Sequence, residues 1–193
     1  MSGGCDEDRA RTVATLVSAF RDDPVERWLY PLERDYDEFF PQFVAAFGGA
    51  AFAHDTVWRA GGFAAVAMWF SPGVEPATDE IVRVLETTVD AGRLSDTMLA
   101  LEQMDAAHPG FPHWYLPWLG VEAGYRDAGL GGTLLSHCLR VVDESVLPAY
   151  LETPNPRTIP FYERHGFRVT GSTCTEDCPA ITFMLREPRP PAS

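Results

Sequence analysis

Val121-Glu-Ala-Gly-Tyr-Arg126-Asp127-Ala128-Gly129-Leu130-Gly131-Gly132-Thr133-Leu-Leu135 runs from the end of an apolar strand, through a glycine-rich loop, into an apolar helix. Such a loop sets several backbone N–H groups at a helix N-terminus, where the helix dipole is positive. A phosphate or pyrophosphate can be held there with little side-chain charge. A second stretch follows: Asn155-Pro-Arg-Thr-Ile-Pro-Phe-Tyr162-Glu-Arg-His-Gly166-Phe167. Taken alone, Gly129-Leu-Gly131-Gly132 also reads as a purely structural glycine turn. A dinucleotide fingerprint would need its third glycine at position 134, which is Leu134, and an acidic residue ending a second strand after it. The glycine condition is not met.

Working outward, periodicity supplies the other elements. Val13, Leu16, Val17 and Phe20 recur at helical spacing, so Asp8 to Phe20 is an amphipathic helix. Asp22-Asp23-Pro24 ends it, and Pro24 opens a short segment containing Trp28 and Tyr30. Phe39, Phe40, Phe43, Val44 and Phe47 form a further apolar helical face, which the spacing closes at Gly48-Gly49. Ala50–Ala60 and Phe63–Phe70 read as a hairpin joined at Gly61-Gly62. Asp79 to Met104 is mostly helical with a break near Gly92. His113–Val121 reads as a strand, Leu130–Val146 as a helix and Ala149–Glu152 as a strand. Pro156–Arg164 is a helix that Gly166 stops. Arg168–Thr173 and Ala180–Leu185 are a closing pair of strands. This alternation is that of an α/β (α+β) domain, expected to span 1–187, with 188–193 a proline-rich disordered tail.

Composition narrows the function classes. The formal net charge is −13, and no basic block is present, so nucleic acid is not an expected partner. A cationic small molecule would meet a favourable field, although acidity also serves solubility alone. No apolar run approaches the roughly 20 residues that span a bilayer. The acidic Met1–Asp8 segment has no apolar core and is no signal peptide, so the expectation is a cytoplasmic protein without a membrane partner. Cys5, Cys138, Cys174 and Cys178 lack zinc-ligand spacing, as do His54, His108, His137 and His165. No metal and no disulfide are expected, and those histidines read as surface or packing residues.

Arg126-x-x-Gly129-x-Gly131, then Asn155, then Tyr162 and Gly166-Phe167, resembles the acetyl-CoA-binding core of the GCN5-related N-acetyltransferases, the GNAT family. The resemblance spans roughly Trp114 to Leu185. It implies a mixed central sheet flanked by helices, with strands splayed apart at the acetyl-CoA site. It implies that the loop Arg126, Asp127, Ala128, Gly129, Leu130, Gly131, Gly132 and Thr133 holds the coenzyme pyrophosphate through backbone amides. It implies that Leu119 and Val121 pair with the pantetheine arm, that Asn155 contacts the coenzyme, and that Tyr162 protonates the leaving thiolate. A homodimer is consistent with the resemblance. Asp23-Pro-Val-Glu-Arg-Trp-Leu-Tyr-Pro31, Ala64–Pro72, Pro112-His-Trp-Tyr-Leu116 and Pro160–Phe167 look like the puromycin N-acetyltransferase type, whose members acetylate small amines. The family's first strand has only Met1 to about Glu7 available to it here, and Ser-Gly-Gly is poor strand sequence.

The chemistry sets its own requirements. An amine of pKa near 10 attacks a thioester only after losing a proton. His113 titrates in the right range, and Glu152 ends a neighbouring strand, so both are candidate bases, with water relay an alternative. Tyr115 stands at the offset from Arg126 where some family members carry a catalytic glutamate. Trp28, Tyr30 and Tyr115 are expected to bind the acceptor, within an aromatic set that also holds Phe39, Phe40, Trp69, Trp114 and Trp118. Acetyl transfer from acetyl-CoA to a small-molecule amine, through a tetrahedral intermediate, is the leading expectation. A non-catalytic acyl-CoA-binding or sensor module, or a protein N-acetyltransferase, stays open as an alternative.

Overall fold

Six apolar residues, Ala65–Phe70, form strand β2, which is buried along its whole length. Its alternate side chains feed two cores. Val66, Met68 and Phe70 face one, and Ala65, Ala67 and Trp69 face the other, as a two-residue period requires. The computed structural model describes residues 3–189. In chain order the elements are α1 (Gly3–Ala19), α2 (Pro24–Leu29), α3 (Glu33–Ala53), β1 (Val57–Ala60), β2, α4 (Thr78–Thr88), α5 (Ala91–Ala107), β3 (Trp114–Val121), α6 (Leu130–Glu144), β4 (Ala149–Thr153), α7 (Ile159–Arg164), β5 (Arg168–Ser172) and β6 (Thr182–Arg186). The sheet runs β1-β2-β3-β4-β6-β5. Only the central β3–β4 pair is parallel. Helices α1 and α3 cover one face and α6 the other, while α4 packs on α3 and α5 on α4. The class is the expected α/β mixed sheet flanked by helices.

Two glycine positions show how closely the helices lie on the sheet. Helix α3 does not end at Gly48-Gly49 but continues to Ala53, so the expected strand from Ala50 begins only at Val57. A Cβ at Gly48 would lie 2.6 Å from Met68 Sδ and 3.0 Å from Trp118 Cδ1. That glycine admits a close approach of helix to sheet rather than stopping the helix. The hairpin turn does fall at Gly61-Gly62, with φ of +60° and +65°. Gly120 plays the same part for α1 as Gly48 for α3: a Cβ there would lie 2.8 Å from both Ala19 Cβ and Leu16 Cδ2.

At the chain ends, α1 already occupies Gly3 onward, so no strand precedes it among the described residues. The expected tail is partly tethered. The Arg189 N–H donates to Asp143 Oδ1 at 2.9 Å, and the buried Arg186 pairs with both oxygens of the same carboxylate at 2.7 and 2.8 Å. Residues 190–193 lie outside the described residues. Cys138, Cys174 and Cys178 are unbridged, and the Cys5 side chain is likewise outside the description. Among the described residues no helix is long and apolar enough to cross a membrane.

The α1 contact gives a stability test. Gly120→Val puts an isopropyl group where Ala19 and Leu16 already touch the strand. Overpacking of this kind costs about 1–3 kcal/mol. Urea unfolding is expected to show a midpoint lowered accordingly. An unchanged midpoint would mean that α1 rides on the sheet more loosely than the contact implies.

Candidate active site

Strands β3 and β4 pair for three residues only: Trp114 with Ala149, Tyr115 with Tyr150, and Leu116 with Leu151. Beyond them the strands diverge. On its other edge β3 has a bulge, because Phe70 pairs with Tyr115 and Met68 with Trp118, leaving Leu116 and Pro117 opposite Trp69 alone. The extra residue reverses the parity of side chains along β3. Tyr115 and Trp118, three residues apart, therefore face the same core. Pro117 lies in the bulge and has no N–H to offer a neighbouring strand. The gap opens into a cavity of about 900 Å³.

One end of this cavity is the glycine-rich loop. Gly129 caps α6 in the left-handed region at φ +75°, a conformation that costs glycine nothing. Among the described residues, the N–H groups of Asp127, Ala128 and Gly129 have no protein acceptor. Those of Leu130, Gly131 and Gly132 begin α6 and lie in the turn where a helix leaves its donors free. Arg126 braces the loop, donating from Nη2 to the Ala19 carbonyl at the end of α1 (2.8 Å). Arg126, Arg157 and Arg164 are the basic residues of the cavity lining.

The other end is apolar and acidic. Trp28, Phe43, Phe47 and Trp118 line it, with Leu85 and Met104 from α4 and α5. Trp118 meets Phe43 and Phe47 edge-on, at centroid distances of 6.0 and 5.9 Å. Asp23, Glu26 and Glu152 place carboxyl groups in this wall. Tyr162, on α7, is buried to 8% exposure and also lines the cavity. Burial raises its hydroxyl above the ordinary phenol value, and the negative charge of Asp23 adds to the rise. It is fully protonated at neutral pH.

Glu152 belongs to a chain of polar contacts. Its Oε2 accepts from the Tyr115 hydroxyl at 2.5 Å. Its Oε1 lies 3.4 Å from His108 Nε2, within ion-pair distance but without hydrogen-bond geometry. His108 Nδ1 is 3.1 Å from His113 Nε2, and His113 Nδ1 is 2.8 Å from the Phe111 carbonyl. A carbonyl only accepts, so the proton of a neutral His113 sits on Nδ1. Its Nε2 is then the acceptor and His108 Nδ1 the donor. Burial holds His113 below the usual imidazole value, with the charge of His108 adding to this and the Phe111 hydrogen bond opposing it.

The sequence-derived candidates separate accordingly. Leu119, Val121, Arg126, Asp127, Gly129, Leu130, Gly131, Gly132, Asn155, Tyr162, Glu152, Tyr115 and Trp28 all line one cavity. Ala128 and Thr133 stand in the loop and first turn but not in the lining. The Asn155 Oδ1 accepts from the Arg157 N–H at 3.1 Å, capping the turn after β4. His113 lies behind the wall, reached through His108. Tyr30 points into the core at 1% exposure with its hydroxyl 2.9 Å from Thr88 Oγ1, so it does not face the acceptor end. Phe39, Phe40, Trp69 and Trp114, also expected around the acceptor, do not line the cavity, whereas Phe43 and Phe47, read from the sequence only as part of an apolar helical face, do. His108, Asp23 and Glu26 were not legible as site residues. His108 ends α5, far from Glu152 in sequence, and Asp23-Pro-Val-Glu26 reads as an ordinary helix start. Among the described residues no group of three or more His, Cys, Asp or Glu side chains could hold a metal ion.

Residues 88–169, from the end of α4 into β5, match the family model described as acetyltransferase (GNAT) domain. An uncharacterized N-acetyltransferase of Schizosaccharomyces pombe is 27% identical over 206 residues, covering 94% of this chain and 81% of that protein. A solved structure from Corynebacterium glutamicum, named histone acetyltransferase HPA2 and related acetyltransferase, superposes with a TM-score of 0.63 at 24% identity, over 97% of this chain and 94% of the other. A Pyrococcus horikoshii OT3 protein superposes with a TM-score of 0.57 at 11% identity, over 93% and 92%. These two likenesses are of fold. Residues 88–169 are thus similar to a GNAT acetyltransferase domain. The chain is an N-acetyltransferase, and acetyl-CoA is its acetyl donor.

The loop yields a binding test. A Cβ at Gly131 would already lie 3.1 Å from Val121 Cγ2 and 3.9 Å from Phe161 Cζ, and a branched side chain there obstructs the approach to the loop amides. Calorimetric titration of Gly131→Val with acetyl-CoA is expected to show at least about tenfold weaker binding, roughly 1.4 kcal/mol. Full affinity in a folded variant would put the coenzyme phosphates elsewhere.

Proposed function

We propose that the protein transfers the acetyl group of acetyl-CoA to the amine of a small organic molecule. The observation that carries this reading is the two-ended cavity. Free loop amides and Arg126 stand at one end, and aromatic side chains with carboxyl groups at the other. A chamber walled by α2, α3, α4 and α5 suits a small acceptor better than a protein tail. The sequence likeness to the puromycin N-acetyltransferase type supports the same class of acceptor without naming it.

In this reading the pyrophosphate rests on the amides from Arg126 to Gly132, and the pantetheine arm lies along the unpaired edge of β3 at Leu119 and Val121. The thioester then lies in the gap between β3 and β4. The amine nitrogen attacks the thioester carbon, and a backbone N–H near Leu119 meets the developing oxyanion. Glu152 takes the proton that the nitrogen must lose, and His108 and His113 carry it toward the surface. As the C–S bond breaks, Tyr162 donates to the departing sulfur. Its raised pKa keeps the hydroxyl in the donor form, so it gives up its proton only as charge accumulates on sulfur. The products are the N-acetyl amide and free coenzyme A.

Three substitutions test these roles. Tyr162→Phe keeps the ring and its packing against Phe161 and Phe167. It is expected to retain acetyl-CoA affinity and thermal stability while kcat falls by about a hundredfold or more. Near-wild-type turnover, with a substrate for which chemistry limits the rate, would move the acid role to water or another group.

Glu152→Gln is expected to lower kcat on a similar scale with little change in KM for acetyl-CoA. In His108→Ala, part of the lost turnover should return on adding imidazole. A defect confined to KM would make Glu152 a binding residue, and the absence of imidazole rescue would remove His108 from the proton route.

A further inference from the structure

Asp23 and Glu26 stand at the start of α2, inside the acceptor end of the cavity. Asp23-Pro-Val-Glu26 has the spacing of a capping box, in which the second acid accepts from the backbone N–H of the cap residue. Half of that device is present. Asp23 Oδ1 accepts from the N–H groups of Val25 and Glu26 at 3.0 and 3.5 Å. The reciprocal half is absent, because the Asp23 N–H donates to the Phe20 carbonyl at 3.0 Å. Glu26 is left with no capping role. It is 4% exposed, and among the described residues its Oε2 has no hydrogen-bond partner.

A carboxyl group in that state costs stability unless something satisfies it. The neighbouring hydroxyls do not. Tyr30 is bonded to Thr88, and Tyr36 donates to the Val17 carbonyl at 2.8 Å. No cation compensates Glu26: burial, with the charge of Asp23 adding, pushes its carboxyl well above the usual range, and no basic residue opposes this. Burial likewise pushes Asp23 up to about 6, against its two N–H bonds. Arg27, next in sequence, is engaged instead with the Pro31 carbonyl (2.8 Å) and with Glu33 (3.2 Å). The free pair therefore favours its protonated form, and a positive charge that arrives through the cavity takes the place of a proton.

We infer that Asp23 and Glu26 form the recognition site for a second, protonated nitrogen of the acceptor, so that the preferred substrates are diamines with an apolar or aromatic spacer. The nitrogen that is acetylated must lose its charge before attack, so it cannot keep an ion pair through the reaction. A second nitrogen can. The aromatic wall of Trp28, Phe43, Phe47 and Trp118 then holds the spacer. This inference rests on the acetyl-transfer reading of the same cavity.

The test compares benzylamine with 4-(aminomethyl)benzylamine, which differ by one aminomethyl group, in calorimetric titrations of the protein saturated with coenzyme A. The wild type is expected to bind the diamine at least about tenfold more tightly. In Glu26→Gln that difference should collapse while the thermal midpoint is held or raised, because a buried acid has become an amide. Glu26→Leu should behave alike, which separates loss of charge from loss of hydrogen bonding. Equal affinity of the two amines for the wild type, no binding of either, or a preference that survives both substitutions overturns the inference. Failure of the acetyl-transfer reading looks different. The diamine preference would persist, but no thiol would be released from acetyl-CoA with either amine.

Discussion

The parting of β3 and β4 after Leu116 is the feature on which the site depends. A parallel pair gains one ladder hydrogen bond for each further residue it zips, so divergence needs a cause. The bulge at Leu116-Pro117 supplies it, turning the strand and placing a residue without an N–H where pairing would continue. The unpaired backbone groups that result would be costly in a sealed core. Here they border a cavity that water or an extended amide-bearing ligand can reach. The same bulge turns Trp118 toward the core that Tyr115 already faces, and so builds the aromatic wall of the acceptor chamber.

Around this gap the helices act chiefly as spacers. Gly48 and Gly120 let α3 and α1 lie directly on the sheet. That close seating brings α2, suspended between them, over the open end of β3. The aromatic wall is therefore a by-product of helix–sheet contact on one face, and the glycine-rich loop belongs to the helix on the other. In the proposed reaction, donor and acceptor would meet across this single gap.

The electrostatics are equally divided. Arg126 and bare amides stand at the loop, and Asp23, Glu26 and Glu152 line the aromatic end. Glu152 is supported by Tyr115 and His108. Glu26 has no such support. Retaining an unpaired buried acid costs stability in the free protein and favours any ligand that brings the missing charge. The overall acidity of the chain acts in the same sense at longer range.

The sequence by itself determined the elements with strong period or punctuation: the hairpin at Gly61-Gly62, the paired helices with a break near Gly92, and the loop from Arg126 to Gly132 with Tyr162 downstream. These features are local, because a glycine with positive φ or a run of apolar residues at fixed spacing needs no distant partner to be read. Gly48-Gly49 misled for the opposite reason, since a glycine that admits a neighbouring strand looks in one dimension like a glycine that ends a helix. Tertiary structure alone decided that Tyr30 faces the core, that His108 joins Glu152 to His113, and that Glu26 is buried without a partner. Each of those outcomes depends on which side chain from another element occupies the adjacent space. Burial, parity across a bulge and hydrogen-bond satisfaction are properties of that packing, and no spacing along the chain encodes them.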